Sequence, residues 1–189
     1  MTIGSWTVTP TAVTEPRSAA ILRDYIADIA GRYWNRELAP DEIDAVLVDH
    51  PSDDLAPPTG IFLLADPTDP GPEADGTRAA DGTRAADVAG GGGEVGDPAG
   101  CVGIRLLGGG VAELSRLYVR PAHRGRGCGV ALLDAAERTA RRSGADRMRL
   151  DTRSDLVEAR AMYARHGYVE GPPHNTDPYA DHWFTKRLG

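Results

Sequence analysis

The sequence predicts an α/β (α+β) protein, about seven strands and about four helices in a single domain spanning 1–189. Three observations lead there. Short β-favouring runs alternate along the chain with longer runs whose apolar residues recur at helical spacing. A length of 189 residues with a 41% hydrophobic fraction suits one domain with a real core. One stretch, Glu113 to Gly129, reads as strand, proline-marked turn and glycine-rich loop opening directly into a helix.

Trp6 to Thr9 is a short first strand. Pro16 suits the first position of a helix, and Ala20, Ile21, Tyr25, Ile26, Ile29 and Ala30 give it one apolar side, with Gly31 weakening or ending it. A second helix starts after Pro40; Asp41 and Glu42 occupy its first turn, where negative charge is favoured, and Ile43, Val46 and Leu47 form its buried side. His50 to Thr59, with three prolines, is a loop, and Ile61 to Ala65 a compact apolar strand.

Residues 66–99 differ in kind. They carry a tandem repeat, Asp75-Gly-Thr-Arg-Ala-Ala followed by Asp81-Gly-Thr-Arg-Ala-Ala, then four glycines from Gly90 to Gly93, with few large apolar side chains. Such composition does not offset the entropy of ordering, so this acidic, Gly-rich stretch is expected to be a disordered insertion between two strands. A tolerated insertion is the simpler reading and a regulatory arm the other. It also explains the net charge of −7. From Asp66 to Gly100 eight acids face Arg78 and Arg84, a balance of −6, while the remainder holds 20 acids and 19 bases, or −1. Total charge therefore points to no nucleic-acid partner.

Order resumes with strands at Val102 to Leu107 and Val111 to Arg120, joined by a tight turn at Gly108 to Gly110 that makes the pair antiparallel. The helix Val130 to Arg142 places Val130, Leu133, Ala136 and Ala140 on one side. Asp134/Arg138 and Glu137/Arg141 are expected as exposed ion pairs, and Gly144 suits its cap. Met148 to Leu150 is a strand. Ser154 or Asp155 caps a helix through about His166 that Gly167 stops; Tyr168 and Val169 begin a strand, Gly171 to Asp181 is a loop, and His182 to Leu188 is the last strand.

Cys101 and Cys128 form neither a CxxC pair nor a metal spacing, and no HExxH occurs, so no metal is expected. Met1 to Pro10 has no signal-peptide pattern and no apolar stretch approaches the roughly 20 residues that span a bilayer, so a cytoplasmic protein without membrane attachment is expected.

In Arg124-Gly-Arg-Gly-Cys-Gly129, the glycines Gly125, Gly127 and Gly129 allow close backbone approach, and the helix that follows supplies free N–H groups and a favourable dipole. A phosphate ligand follows. The spacing G-x-G-x-G is not the G-x-G-x-x-G of a dinucleotide site, although Asp151 at the end of the next strand imitates one.

With Val119-Arg-Pro ahead of it, Arg124 to Gly129 resembles the pyrophosphate motif of the GNAT superfamily of acetyl-CoA-dependent N-acetyltransferases. Tyr163-Ala-Arg-His-Gly167-Tyr168 resembles the superfamily's later Tyr-x-x-x-Gly-aromatic signature. The gap between the motifs holds one helix, one strand and one helix. The resemblance implies the GNAT acyl-CoA N-acyltransferase fold, a central mixed, mostly antiparallel sheet. It implies acetyl-CoA as co-substrate, direct transfer to a primary amine, and a small-molecule or protein amine as partner. A homodimer is left open. Many members carry Asn seven residues before the tyrosine, touching the pantetheine arm; here that position is Leu156.

The resemblance also assigns roles. Leu117, Tyr118 and Val119 would hold the pantetheine arm and thioester through backbone N–H groups freed at a bulge. Arg124, Gly125, Arg126, Gly127, Cys128 and Gly129 would hold the pyrophosphate, chiefly by backbone, with Arg124 the more strongly implied arginine. Tyr163 is the candidate acid for the departing thiolate: a phenol of pKa about 10 stays protonated where a thiol of about 8.5 leaves. Its other reading is a core aromatic. Glu113 is the candidate base, or else a solvated or ion-paired strand residue. Strict alternation puts Glu113, Ser115, Leu117 and Val119 on one face. Cys128 has no base placed beside it and is expected to be only a small loop residue. Tyr33 and Trp34 are candidates to line an acceptor pocket. A non-catalytic acyl-CoA-binding module is the competing reading.

Overall fold

The computed structural model describes residues 5–68 and 96–189. Seven strands, β1 (Trp6–Pro10), β2 (Gly60–Pro67), β3 (Gly100–Gly108), β4 (Val111–Val119), β5 (Arg147–Thr152), β6 (Val169–Gly171) and β7 (His182–Arg187), form one sheet in the order β1-β2-β3-β4-β5-β7-β6. All neighbours are antiparallel except β4 and β5. Four α-helices accompany them: α1 (Pro16–Trp34), α2 (Pro40–Asp49), α3 (Cys128–Arg142) and α4 (Val157–Arg165). This is the mixed, mostly antiparallel seven-stranded sheet with four helices that the sequence leads one to expect.

Period-two alternation in β2 builds a core on each face. Leu63 and Ala65 join Val102, Ile104, Met148 and Leu150 against α3, whose Leu132, Leu133, Ala136 and Ala140 are fully buried. Phe62 and Leu64 point the other way, with Cys101 and Tyr118, against Ile21 and Leu22 of α1. The helix α1 runs past Gly31 and ends at Asn35, which takes the left-handed φ of 52° that suits an asparagine cap.

Several boundaries depart from expectation for local reasons. The helix α3 starts at Cys128, two residues before Val130, because Gly127 at φ 85° serves as its N-cap. Neither Ser154 nor Asp155 caps α4, which begins at Val157 after Leu156. Asp155 instead pairs with Arg153 at 2.6 Å, and the Ser154 N–H donates to Asp181 at 2.8 Å. Glu137 is 3% exposed rather than on an exposed face, its carboxylate accepting from Lys186 Nζ at 2.7 Å as well as from Arg141 at 3.5 Å. No Asp134–Arg138 ion pair forms among the described residues. Most of the 66–99 segment lies outside the described residues, but its ends are ordered. Asp66 and Pro67 close β2 with Asp66 paired to Arg17, and Pro98 and Ala99 are buried ahead of β3. The Asp66 ion pair and the apolar Pro98 and Ala99 anchor what composition alone assigns to the insertion.

The strand β4 carries the feature that shapes the site. Cys101 pairs Tyr118 and Gly103 pairs Ser115, so Arg116 and Leu117 together face Val102. Arg116 adopts φ 53°, and its carbonyl accepts the Cys101 thiol at 3.4 Å. This bulge shifts the alternation by one residue. Glu113 and Ser115 therefore do not share a face with Leu117 and Val119. Leu117 and Val119 pack with Ala112 and Leu114 against the α3 core, and Tyr118 lies in the α1 core.

Among the described residues no helix is long and apolar enough to cross a membrane.

Candidate active site

Beyond Glu113 the two central strands part. The parallel pairing of β4 and β5 covers only Val111–Glu113 against Arg147–Arg149, although both strands continue. From Leu114 onward the β5-facing edge of β4 has no strand partner, so backbone groups there are open to a ligand. A cavity of about 340 Å³ opens beside this split. Its wall combines Tyr25 and Ile29 of α1 with Glu113 and Arg116 of β4, Asp151 of β5 and Tyr163 of α4. Tyr33 and Trp34 line it too, where α1 ends, and Tyr179 meets the Tyr33 ring at 5.4 Å.

Glu113 is 7% exposed, and both of its carboxylate oxygens are engaged. Arg105 Nη1 donates to Oε1 at 3.0 Å and Arg149 Nε donates to Oε2 at 2.8 Å. Of its two sequence readings, this geometry is the ion-paired one. With one guanidinium on each oxygen, the carboxylate is committed to its ion pairs rather than open to a substrate amine.

Asp151 lines the same cavity under different conditions. It forms no ion pair among the described residues, and one oxygen accepts from Asn175 Nδ2 at 2.7 Å. Burial lifts its carboxyl above the usual range, opposed by the Asn175 hydrogen bond and helped by the nearby Asp177 and Glu113 charges. A carboxyl raised in this way holds a proton more readily than an exposed aspartate does. Sequence inspection noticed Asp151 only as a mimic of a nucleotide-binding acid; alternation with Glu113's neighbour Arg149 across the parallel pair was the signal that could have found it.

Tyr163 is 5% exposed, its ring 5.8 Å from Tyr168 and 6.1 Å from Phe184. The ring packs in the core, as its second reading has it, and the residue also borders the cavity. Burial, with smaller contributions from Tyr25 and Asp151, raises its hydroxyl well above the ordinary phenol value, so it is protonated throughout the neutral range. Gly167 at φ 81° ends α4, and the Tyr168 N–H closes back on the Tyr163 carbonyl at 3.1 Å, fixing the ring's mount.

At the other end of the split is the glycine loop. The first α3 bond runs from the Ala131 N–H to the Gly127 carbonyl at 3.0 Å, leaving the N–H groups of Cys128, Gly129 and Val130 outside the helical ladder. Gly125 has φ 71° with open space where a Cβ would stand, and a Cβ on Gly129 would crowd Met162 Sδ at 3.3 Å. These free donors beside an unobstructed backbone fit a diphosphate. The arginines divide differently from expectation. Arg124 turns back, its Nε donating to the Val119 carbonyl at 2.8 Å and its Nη2 to Asp28 at 3.0 Å. Arg126 is exposed and forms no ion pair among the described residues, so it is the arginine open to a phosphate.

Cys128 is 1% exposed and burial pushes its thiol up to about 12, which removes it as a nucleophile. Among the described residues no group of three or more His, Cys, Asp or Glu is placed to hold a metal.

A parted sheet, with a helix start bearing free N–H groups at one end and a walled cavity at the other, sets the geometry of the site. Comparison with known proteins gives the class its name. The model of the Acetyltransferase (GNAT) family matches residues 61–168, more than half of the chain, and the chain belongs to that family. An uncharacterised N-acetyltransferase of Schizosaccharomyces pombe is 36% identical over 86 residues, which are 45% of this chain and 53% of that protein. The chain thus spans about half the length of that relative. Among solved structures, an acyl-CoA N-acyltransferase from Klebsiella pneumoniae has a TM-score of 0.62 at 26% identity, over 97% of this chain and 98% of that one. A PaiA N-acetyltransferase from Thermoplasma acidophilum, in complex with coenzyme A, has a TM-score of 0.62 at 16% identity, over 97% of this chain and 99% of that one.

Proposed function

We propose that this protein transfers an acetyl group from acetyl-CoA to a primary amine, directly and with both substrates bound together. The observation that carries this reading is the parting of β4 from β5 between the α3 start and a cavity bordered by Asp151 and Tyr163. Acetyl-CoA supplies an activated acyl thioester; every other requirement falls on side chains and backbone of this chain.

The N–H groups of the Gly125 to Gly129 turn receive the pyrophosphate, with Arg126 adding charge. Backbone groups of Leu117, Tyr118 and Val119, on the unpaired edge of β4, hold the pantetheine arm and orient the carbonyl. Asp151 takes the proton that an alkylammonium of pKa about 10.4 must lose before attack. The C–N bond forms, the C–S bond breaks, the Tyr163 hydroxyl gives the departing sulfur a proton, and the second proton shed by the acylated nitrogen passes through water to restore the phenol. Glu113 acts through Arg149 and Arg105 rather than on the amine. It fixes the short parallel joint from which the two strands diverge.

Thiol release from acetyl-CoA across a panel of amines tests this reading. Amine-dependent release by the wild type and its loss in Asp151→Asn support it. Coenzyme A binding without release for any amine would instead favour a non-catalytic acyl-CoA-binding module.

A further inference from the structure

We infer that the acceptor carries a carboxylate as well as its amine, as an amino acid does, and that Arg116 receives that carboxylate. The inference rests on the acetyltransferase reading above and adds a substrate class to it.

Three arginines line the cavity, and two are neutralised. Arg105 pairs with Asp54 and Glu113, and Arg153 pairs with Asp155. Arg116 has no carboxylate within ion-pair distance among the described residues. Its guanidinium is held only by uncharged oxygens: Ser52 Oγ at 3.3 Å, the His50 carbonyl at 3.0 Å and the Pro51 carbonyl at 3.4 Å. Those contacts occupy Nε and Nη2, and Nη1 has no hydrogen-bond partner among the described residues. The group lies over the Tyr25 ring at 5.5 Å, half-buried against another lining residue. A cation withdrawn from water without a counter-charge is costly unless a ligand supplies one.

Backbone geometry agrees. Arg116 sits at the β4 bulge with φ 53°, a conformation rare for a long side chain. The bulge aims it toward the α2 end of the cavity rather than along the regular strand face. Strain of this kind persists where the surroundings over-determine it and gathers at ligand sites. The same cavity also contains Asp151, which lacks a cationic partner among the described residues. Asp49 and Asp177 also line the wall and, like Asp151, form no ion pair among the described residues. Arg116 is thus the one lining arginine left to meet an acceptor's carboxylate, while the aspartates suit its ammonium; guanidinium–carboxylate pairing supplies the directionality.

The test compares acceptors sharing one carbon skeleton: an α-amino acid, its primary amide, and the amine lacking the carboxyl carbon. Thiol release is followed at saturating acetyl-CoA. The expected kcat/KM for the acid exceeds that of either neutral analogue by about tenfold or more, the usual scale of a charge-assisted contact. Arg116→Asn tolerates the left-handed backbone and should shrink that ratio to about twofold by raising KM for the acid. Arg116→Lys, which keeps the charge but loses the fork, should fall between. Coenzyme A affinity, measured alongside, reports that each variant is folded. Equal turnover of acid and amide by the wild type overturns this assignment and leaves acetyl transfer standing. Absence of turnover on every amine overturns the transferase reading, and this inference with it.

Discussion

Arg149 Nε donates to Glu113 Oε2 at 2.8 Å, directly across the three-residue parallel joint of β4 and β5. The pair stands where the sheet divides, and Arg105 completes it from β3 at 3.0 Å. Replacing Glu113 by Gln leaves the half-buried Arg149 without its carboxylate and Arg105 with Asp54 alone. The expected cost is on the order of 2–3 kcal/mol, between the exposed and buried limits for broken ion pairs. Denaturant titration of Glu113→Gln should show this loss, while kcat of the folded variant falls by less than about tenfold. A hundredfold fall in kcat at unchanged stability would restore Glu113 to the role of base.

The glycine turn gives a second prediction. Gly127 caps α3 at φ 85°, a conformation costing an alanine about 1–2 kcal/mol. Gly127→Ala should lower Tm by several degrees and weaken coenzyme A binding about tenfold by tilting the donors of Cys128 and Gly129. Calorimetric titration with coenzyme A checks it. An unchanged affinity would remove the α3 start from the binding site.

Cys128 should be chemically silent. Its thiol is buried against the β3 core and pushed up to about 12. A thiol-specific disulfide reagent is expected to modify it only on unfolding, and Cys128→Ala should turn over within about twofold of wild type. Rapid modification of the native protein would contradict the packing described.

A pH effect follows at the α1–α2 corner, near the aromatic mouth of the cavity. Arg36 donates to both Glu42 oxygens, at 2.8 and 2.6 Å, and the Ala39 N–H adds a third bond at 2.8 Å. Chiefly through the Arg36 bond, then that of Ala39, the Glu42 carboxyl falls from its ordinary 4.5 to about 2. Because the folded value is depressed, the stabilisation is fully present above about pH 4.5 and disappears as pH falls toward 2. NMR titration of the Glu42 carboxyl carbon should give a midpoint near 2, moving back toward 4.5 in Arg36→Gln.

Much of this was legible in the sequence. Apolar periodicity located the four helices, and prolines and glycines marked most of their ends. The Gly125 to Gly129 loop stood out by its local spacing, and Tyr163 by its resemblance to a family signature. What stayed hidden depends on distant partners. The Arg116 bulge arises from β3 register, so alternation assigned Leu117 and Val119 to the wrong face. Arg149 and Arg105 reach Glu113 from 36 and 8 residues away. Arg124, implied as a phosphate ligand, has its guanidinium engaged by Asp28, 96 residues earlier, which local spacing does not show. Asp151 differs from Glu113 only in its environment, which spacing does not report.

Tyr163→Phe offers the most direct measurement of the central claim. The substitution removes one oxygen from a buried ring and leaves the Tyr168 and Phe184 contacts in place. Turnover with acetyl-CoA and an accepted amine is expected to fall by about a hundredfold, within the range for losing a general acid. Coenzyme A affinity should be retained. Wild-type turnover in Tyr163→Phe would contradict the account, since no other hydroxyl assigned here would then protonate the departing sulfur.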